Sequence, residues 1–106
     1  MKHYDELTAL KPANGQKSFY GKAHYFETDG TYVLMSYDTY ICDYEPKTGY
    51  FFKRWEGYSR TTMNHIKSFC AMFRIFPNMT KKQWDSIPTY GGIESLGFKV
   101  PASERT

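Results

Sequence analysis

The sequence has few of the features that identify a membrane protein, an exported protein or a disulfide-rich protein. It has no run of about 18 apolar residues, and the start at Met1 lacks the apolar segment of a signal peptide. We therefore expect no contact with a membrane and a location in the cytoplasm. Cysteine is scarce. The two cysteines, Cys42 and Cys70, lie among apolar and aromatic residues and are predicted to be reduced core residues.

The chain also lacks the spaced motifs that catalysis and metal binding require. The three histidines and two cysteines form no Cys-x-x-Cys or His-x3-His pair, so we expect no metal and no other cofactor. No Walker loop and no Gly-x-Ser-x-Gly elbow is present, and no nucleophile has a recognisable base beside it. The sequence therefore predicts a protein without enzymatic activity.

What the sequence does contain is enough apolar material for one folded domain. The 106 residues are 41% hydrophobic and 19% aromatic, and this length suits one core. We expect a single domain over residues 18–90, an N-terminal arm over 1–17 and a C-terminal tail over 91–106 that is mobile toward its end.

Alternating aromatic residues predict strands in the first half of this domain. Residues 18–27 and 32–36 flank an Asp29-Gly30 pair, which is typical of a tight hairpin. Residues 40–44 and 50–55 flank a five-residue turn and predict a second hairpin. Two adjacent hairpins give an antiparallel sheet of about four strands. A strongly bent sheet that closes toward a small barrel is the alternative, because no Gly or Pro separates the strands within residues 34–44.

The second half of the domain predicts helices. Apolar residues recur every three or four positions from Arg60 to Ile75, after a possible N-cap at Ser59. Residues 80–87 predict a short second helix. The long helix has the apolar stripe that one face of the sheet needs, so we predict an α+β fold in which Phe69 and Phe73 are among the most buried residues. If Phe73 lies in the core, Phe73→Ala is expected to cost about 3–5 kcal/mol.

Positive charge suggests a binding surface, although the net charge is only +3. Arg60, Lys67 and Arg74 are spaced by seven residues and fall along one line of the long helix. Further cations precede and follow this helix, and Asn64 can add hydrogen bonds. Such a stripe is typical either of nucleic-acid binding or of an ordinary solvated helix face.

Tyrosine is the second unusual feature, with ten residues in the chain. Tyr40 and Tyr44 are predicted to share one face of their strand, and Tyr50 and Phe52 are predicted to share one face of the partner strand. One helix covers one face of a sheet, so some rings are expected to be exposed. Exposed tyrosines stack on bases or anchor protein partners, and tyrosine is also a common strand residue. The candidate binding residues are Tyr40, Tyr44, Tyr50, Lys53, Arg54, Arg60, Asn64, Lys67, Arg74, Lys81 and Lys82.

Two short motifs within residues 31–88 carry a resemblance to a known group of proteins. These are the Ser-Tyr-x-Thr pattern at residues 36–39 and the Tyr-Ser-x-Thr-Thr-x-x-His-Ile pattern at residues 58–66. With them, the chain resembles small uncharacterised proteins encoded by phages, plasmids and conjugative elements of gut Firmicutes. The resemblance implies an accessory protein of a mobile element in the bacterial cytoplasm.

Such accessory proteins either handle DNA or RNA or block a host defence complex. The resemblance therefore implies an inhibitor, for example an anti-CRISPR protein that binds a CRISPR nuclease, with direct DNA or RNA binding as the alternative. The motif residues themselves predict structural roles. Ser59 caps the helix, and His65 is expected to make a hydrogen bond back to the sheet.

Overall fold

An antiparallel meander of six strands is the framework of the protein in the computed structural model, which describes residues 7–13, 18–57, 59–91 and 96–106. Each strand pairs with the next one in sequence. The strands are β1 (Thr8–Ala9), β2 (Ala23–Thr28), β3 (Thr31–Ser36), β4 (Thr39–Glu45), β5 (Tyr50–Lys53) and β6 (Phe98–Lys99). The helices are α1 (Arg60–Met72) and α2 (Lys81–Ser86), and a 3-10 turn covers Ala102–Glu104. The predicted α+β class is confirmed, with six strands rather than about four.

The predicted hairpins form because their turns suit tight connections. Asp29 and Gly30 join β2 to β3, and both have positive φ, at 51° and 84°. Asp and Gly reach this backbone region at lower cost than other residues, as a two-residue hairpin requires. Within the described residues the sheet is open, with β1 and β6 at its edges. The described strands therefore do not close into the small barrel that was the alternative prediction.

The main core lies between the sheet and α1. Phe51, Ile66, Phe69 and Trp84 are all fully buried in it. Phe73 is only partly buried at the end of α1, although it was predicted to be among the most buried residues. A second, smaller cluster lies on the other face of the sheet and consists of Phe26, Val33 and Met35, with Leu7 packed against it.

Both cysteines lie in the main core as free thiols, as predicted. Burial raises the pKa of Cys42 and of Cys70, and in Cys42 the neighbouring Cys70 and Asp43 raise it further. A thiol that stays protonated is a poor nucleophile and a poor metal ligand. The two cysteines therefore act as small apolar core residues.

The N-cap of α1 is Ser59, whose Oγ accepts a hydrogen bond of 3.0 Å from the backbone N–H of Thr62. The predicted cap is confirmed, but the helix ends at Met72 rather than at Ile75. The N–H of Arg74 donates to Ala71 and that of Ile75 donates to Cys70, while Arg74 has a φ of +56°. These bonds form a Schellman motif, in which glycine usually occupies the left-handed position. The sequence has Arg there, so its pattern did not mark the end.

The predicted arm and tail both contribute to the domain in their described residues. Leu10 is buried, and Thr8–Ala9 pair with β2 as an edge strand. Residues 1–6 and 14–17 of the predicted arm lie outside the described residues. At the other end, Val100 is buried and the N–H of Phe76 donates to the carbonyl of Glu104. Residues 96–106 are thus part of the fold rather than a separate tail.

Candidate nucleic-acid interface

A buried polar cluster joins the two sequence motifs and fixes α1 to the sheet. Ser36 Oγ, at the end of β3, lies 2.8 Å from Nδ1 of His65 and 3.2 Å from Oγ1 of Thr62. All three side chains are buried, and the Phe19 ring packs edge-on against His65 at 4.5 Å between centroids. Because Ser36 Oγ has hydrogen-bond partners on two residues of α1, the cluster holds the helix against the sheet. The predicted hydrogen bond from His65 to the sheet is confirmed.

The burial of His65 makes stability depend on pH. Desolvation lowers the pKa of His65 below its ordinary value of 6.5, and nearby Lys22 lowers it further. The unfolded chain then binds the proton more readily than the folded one, so this contribution to stability is complete above pH 6.5 and is lost as pH falls below it. We expect wild-type stability to fall between pH 7 and pH 5. Urea midpoints should fall less over this interval in His65→Gln, and equal pH slopes would contradict the expectation.

Two of the predicted binding residues lie in the core, which removes them from the binding surface. Tyr44 is 4% exposed and Lys53 is 3% exposed. Tyr44 packs against the ring of Phe73, with centroids 5.3 Å apart. The Nζ of Lys53 donates to the carbonyls of Trp84 and Ile87, at 2.8 and 3.2 Å. Lys53 therefore binds the end of α2 and is unavailable to a ligand.

A β-bulge explains why Tyr40 and Tyr44 do not share a face. Across β3 and β4, Met35 pairs with Tyr40 and Leu34 pairs with Cys42, so Ile41 is an extra residue. An extra residue reverses the alternation of side chains beyond it. Tyr40 therefore lies on the face of the second cluster and contacts Phe26, whereas Tyr44 faces α1.

The predicted residues Arg54 and Tyr50 lie on this second face, where other protein groups already engage them. The guanidinium of Arg54 donates two hydrogen bonds to the Asp43 carboxylate, at 2.7 and 3.3 Å, and lies over the Phe52 ring. Tyr50 is half-buried, and the ammonium of Lys99 lies 5.4 Å from the centre of its ring. These contacts hold neighbouring strands together, and the charge of Arg54 is largely neutralised by Asp43.

The remaining cations lie in a stretch of the chain that carries no acidic residue and is followed directly by Asp85 in α2. Residues 57–84 contain five of the 14 Lys and Arg residues and none of the 11 Asp and Glu residues, so the rest of the chain carries nine basic against eleven acidic residues. All five cations are exposed. We call them the cationic layer, which consists of Arg60, Lys67, Arg74, Lys81 and Lys82. The modest net charge of the chain therefore combines a positive stretch at residues 57–84 with a net-negative remainder.

Within the described residues, one carboxylate forms an ion pair with the cationic layer. Asp85 pairs with Lys81 at 2.7 Å, four residues apart on α2, and both groups are exposed. An exposed pair of this kind contributes little energy and breaks readily. Arg60, Lys67, Arg74 and Lys82 form no ion pair with a described residue. Their charge is available to an anionic partner.

The cationic residues of α1 lie beside a groove. Helical geometry places Arg60, Asn64, Lys67 and Ala71 within about 60° of one another around the axis. The last three line a groove of about 460 Å³ between α1 and the segment that leads to α2. Its other lining residues are Ala13, Ser68, Ile75, Phe76, Pro77, Asn78, Met79 and Thr80. Lys67 and Thr80 line the same groove. Since Lys81 and Lys82 follow Thr80 directly, they lie at the edge of this groove.

Two exposed tyrosines that the predicted set omits occupy costly backbone positions. Tyr20 is 73% exposed with a φ of 54°, and Tyr37 is 52% exposed with a φ of 56°. The left-handed region costs a residue with a side chain about 1–2 kcal/mol relative to the right-handed region, and glycine avoids this cost. Strain of this kind is concentrated at functional sites. Both tyrosines sit at turns, next to Gly21 and Asp38, which was the available sequence signal.

No three His, Cys, Asp or Glu side chains in the described parts of the chain come close enough to share a metal ion. Neither helix there has the length and apolarity needed to cross a lipid bilayer.

Comparison with known proteins gives one family. The model of a family of unknown function, DUF8033, matches residues 8–86, which include all but β6 of the strands and both helices. No curated protein and no solved structure matches the chain. The match covers the buried Ser36–Thr62–His65 cluster and the whole cationic layer. The chain belongs to the DUF8033 family.

Proposed function

We propose that this protein is a non-catalytic accessory protein of a mobile genetic element that binds DNA or RNA through its cationic layer. The observation that carries the proposal is the absence of acidic residues from residues 57–84, where five exposed cations lie. Phosphate backbones bind such surfaces by releasing condensed counterions. An ordinary solvated helix face mixes both signs of charge, as the rest of this chain does.

The arrangement of the layer supports contact with successive phosphates. Arg60 and Lys67 are about 10 Å apart along α1, because each residue advances the helix by 1.5 Å. The groove then connects Lys67 to the start of α2, where Lys82 is exposed. Asn64, on the same side of α1, supplies an amide that can donate to a phosphate or to a base edge. Arg74 extends the charge beyond the end of the helix.

Binding of this kind depends steeply on salt. If the layer neutralises three or four phosphates of a single strand, the logarithm of the binding constant should fall with a slope of about −2 to −3 against the logarithm of salt concentration. We expect Lys67→Glu to weaken binding at least about tenfold and to flatten this slope. The measurement is fluorescence anisotropy of labelled oligonucleotides at several salt concentrations, with single-stranded and duplex DNA and single-stranded RNA.

The matched control is Lys47→Glu, which makes the same charge change at an exposed lysine outside the cationic layer, in the turn between β4 and β5. We expect this variant to bind within about twofold of wild type. Equal losses in the two variants would show that binding follows net charge rather than this surface. Failure of the wild-type protein to bind any of the three nucleic acids would overturn the proposal.

The cationic layer also supports a second proposal, an inhibitor of a host defence complex such as a CRISPR nuclease. An inhibitor that imitates nucleic acid needs an acidic surface, whereas this surface is basic. Such an inhibitor would bind an acidic protein surface or the backbone of a guide RNA. Pull-down from host lysate with and without nuclease separates the two proposals. A protein complex that survives nuclease digestion, together with no binding to bare DNA or RNA, would favour the inhibitor.

A further inference from the structure

The turn before β2 and the turn between β3 and β4 are adjacent, and together they display two exposed tyrosines and a lysine. We call Tyr20, Lys22 and Tyr37 the tyrosine tip. The two rings have high exposed fractions, 73% for Tyr20 and 52% for Tyr37, and the Nζ of Lys22 lies 6.0 Å from the centre of the Tyr37 ring. The turns are joined directly, since the N–H of Tyr37 donates to the carbonyl of Lys22 at 2.7 Å.

The tyrosine tip borders the first two turns of α1, on the side of His65. The ring of Tyr37 is 6.2 Å from that of His65, and Phe19, which precedes Tyr20, is 4.5 Å from His65 on centroid distances. His65 lies in the second turn of α1, whose first residue is Arg60. His65 lies about 140° around the helix axis from Arg60, so an oligonucleotide that contacts both the cationic layer and the tip would cross the N-terminal end of α1.

We propose that the tyrosine tip stacks unpaired bases, so that the ligand of this protein is a single-stranded nucleic acid. The inference rests on the proposed function, because the phosphates of the same strand would contact the cationic layer. Aromatic rings bind single strands by stacking on base faces, which a duplex keeps inside its own stack. Lys22 adds positive charge for the backbone. The exposed Asp38 follows Tyr37 and is an acidic group in this region.

The backbone at the tip permits a sharp test of this inference. Asn adopts left-handed φ values more readily than Tyr. Replacing both tyrosines by Asn therefore removes the rings and relieves backbone strain, so the melting temperature should stay the same or rise. Binding and stability are then expected to move in opposite directions, which a purely structural role for the rings would not produce.

The experiment compares the wild-type protein with the double variant Tyr20→Asn, Tyr37→Asn on a single-stranded oligonucleotide and on its duplex. We expect wild type to prefer the single strand and the double variant to bind it at least about tenfold more weakly. Tyr40→Asn is the matched control, since Tyr40 is 45% exposed but lies on the opposite face of the sheet. It should bind within about twofold of wild type. In parallel, wild type should quench the fluorescence of 2-aminopurine in single-stranded DNA, because this fluorescence falls when the base stacks on a ring.

Each outcome decides whether the tyrosine tip stacks unpaired bases. If the double variant binds the single strand as tightly as wild type while Lys67→Glu binds it more weakly, base stacking by the tip is ruled out and the proposed function stands. Base stacking by the tip is also ruled out if wild type binds the duplex as tightly as the single strand or more tightly, or if 2-aminopurine fluorescence is not quenched. A marked fall in the melting temperature of the double variant would assign the tyrosines a structural role instead. If wild type binds no nucleic acid, the proposed function fails together with the tip.

Discussion

Replacing Phe69 with alanine is expected to lower the free energy of unfolding by about 3–5 kcal/mol. Phe69 is fully buried on the side of α1 that packs on the sheet. Its ring packs edge-on against Phe73 at 5.2 Å between centroids. Removing the ring takes away apolar contacts and leaves a cavity that a close-packed core fills only in part. Urea denaturation followed by circular dichroism measures the loss.

Phe73→Ala is the matched control, because it removes the same ring from the same helix at a partly buried position. Its loss should be smaller than that of Phe69→Ala, below the range expected from the sequence for a core residue. An equal or greater loss at Phe73 would contradict the packing seen here. A loss below about 1 kcal/mol at Phe69 would contradict it more directly, since no fully buried Phe should be replaced so cheaply.

Sequence reasoning found the parts of the fold that local chemistry determines. The Asp29-Gly30 hairpin, the Ser59 cap and the apolar stripe of α1 each depend on residues within one or two turns of chain. β1 and β6 were missed because each has only two residues and forms by pairing with an edge of the sheet. Their existence depends on long-range contacts that no local pattern records.

The C-terminal segment shows the same limit. Phe98 packs against Phe76 with nearly parallel rings, 6.3 Å between centroids, and the N–H of Thr106 donates to the carbonyl of Arg74. These partners are more than 20 residues away, whereas the segment itself contains three glycines, one proline and a polar end. Composition therefore predicted a mobile tail, although the distant partners incorporate its described residues into the domain.

The candidate site was predictable only where exposure follows from helix geometry. Arg60 and Lys67 lie along one line beside the apolar stripe, so their exposed positions could be derived from their spacing. Tyr44 could not be placed correctly, because the extra residue Ile41 in the bulge of β4 reverses the faces of the strand. Lys53 was misplaced because its carbonyl partners are 31 and 34 residues further along the chain.

Lys53 is also the residue whose replacement should have the second large effect. Its ammonium group binds the carbonyls of Trp84 and Ile87 at the end of α2 and lies 4.9 Å from the centre of the Trp84 ring. Burial lowers the pKa of Lys53, while the nearby carboxylates of Asp85 and Glu56 partly offset this effect. The cost of burying the ammonium is thus set against two hydrogen bonds and a cation–π contact.

We expect Lys53→Ala to destabilise the protein by about 3–5 kcal/mol, because it leaves two acceptors without this donor and also empties the space of the aliphatic stem. Lys53→Met keeps most of the stem and loses only the ammonium, so it should cost about 1–3 kcal/mol. Denaturant unfolding measures both values. Fluorescence of Trp84 in a Trp55→Phe background reports on α2 itself, since the chain has two tryptophans. A Met variant as stable as wild type, with unchanged Trp84 emission, would show that the ammonium does not hold α2 in place; the ordering of wild type, Met and Ala would show that it does.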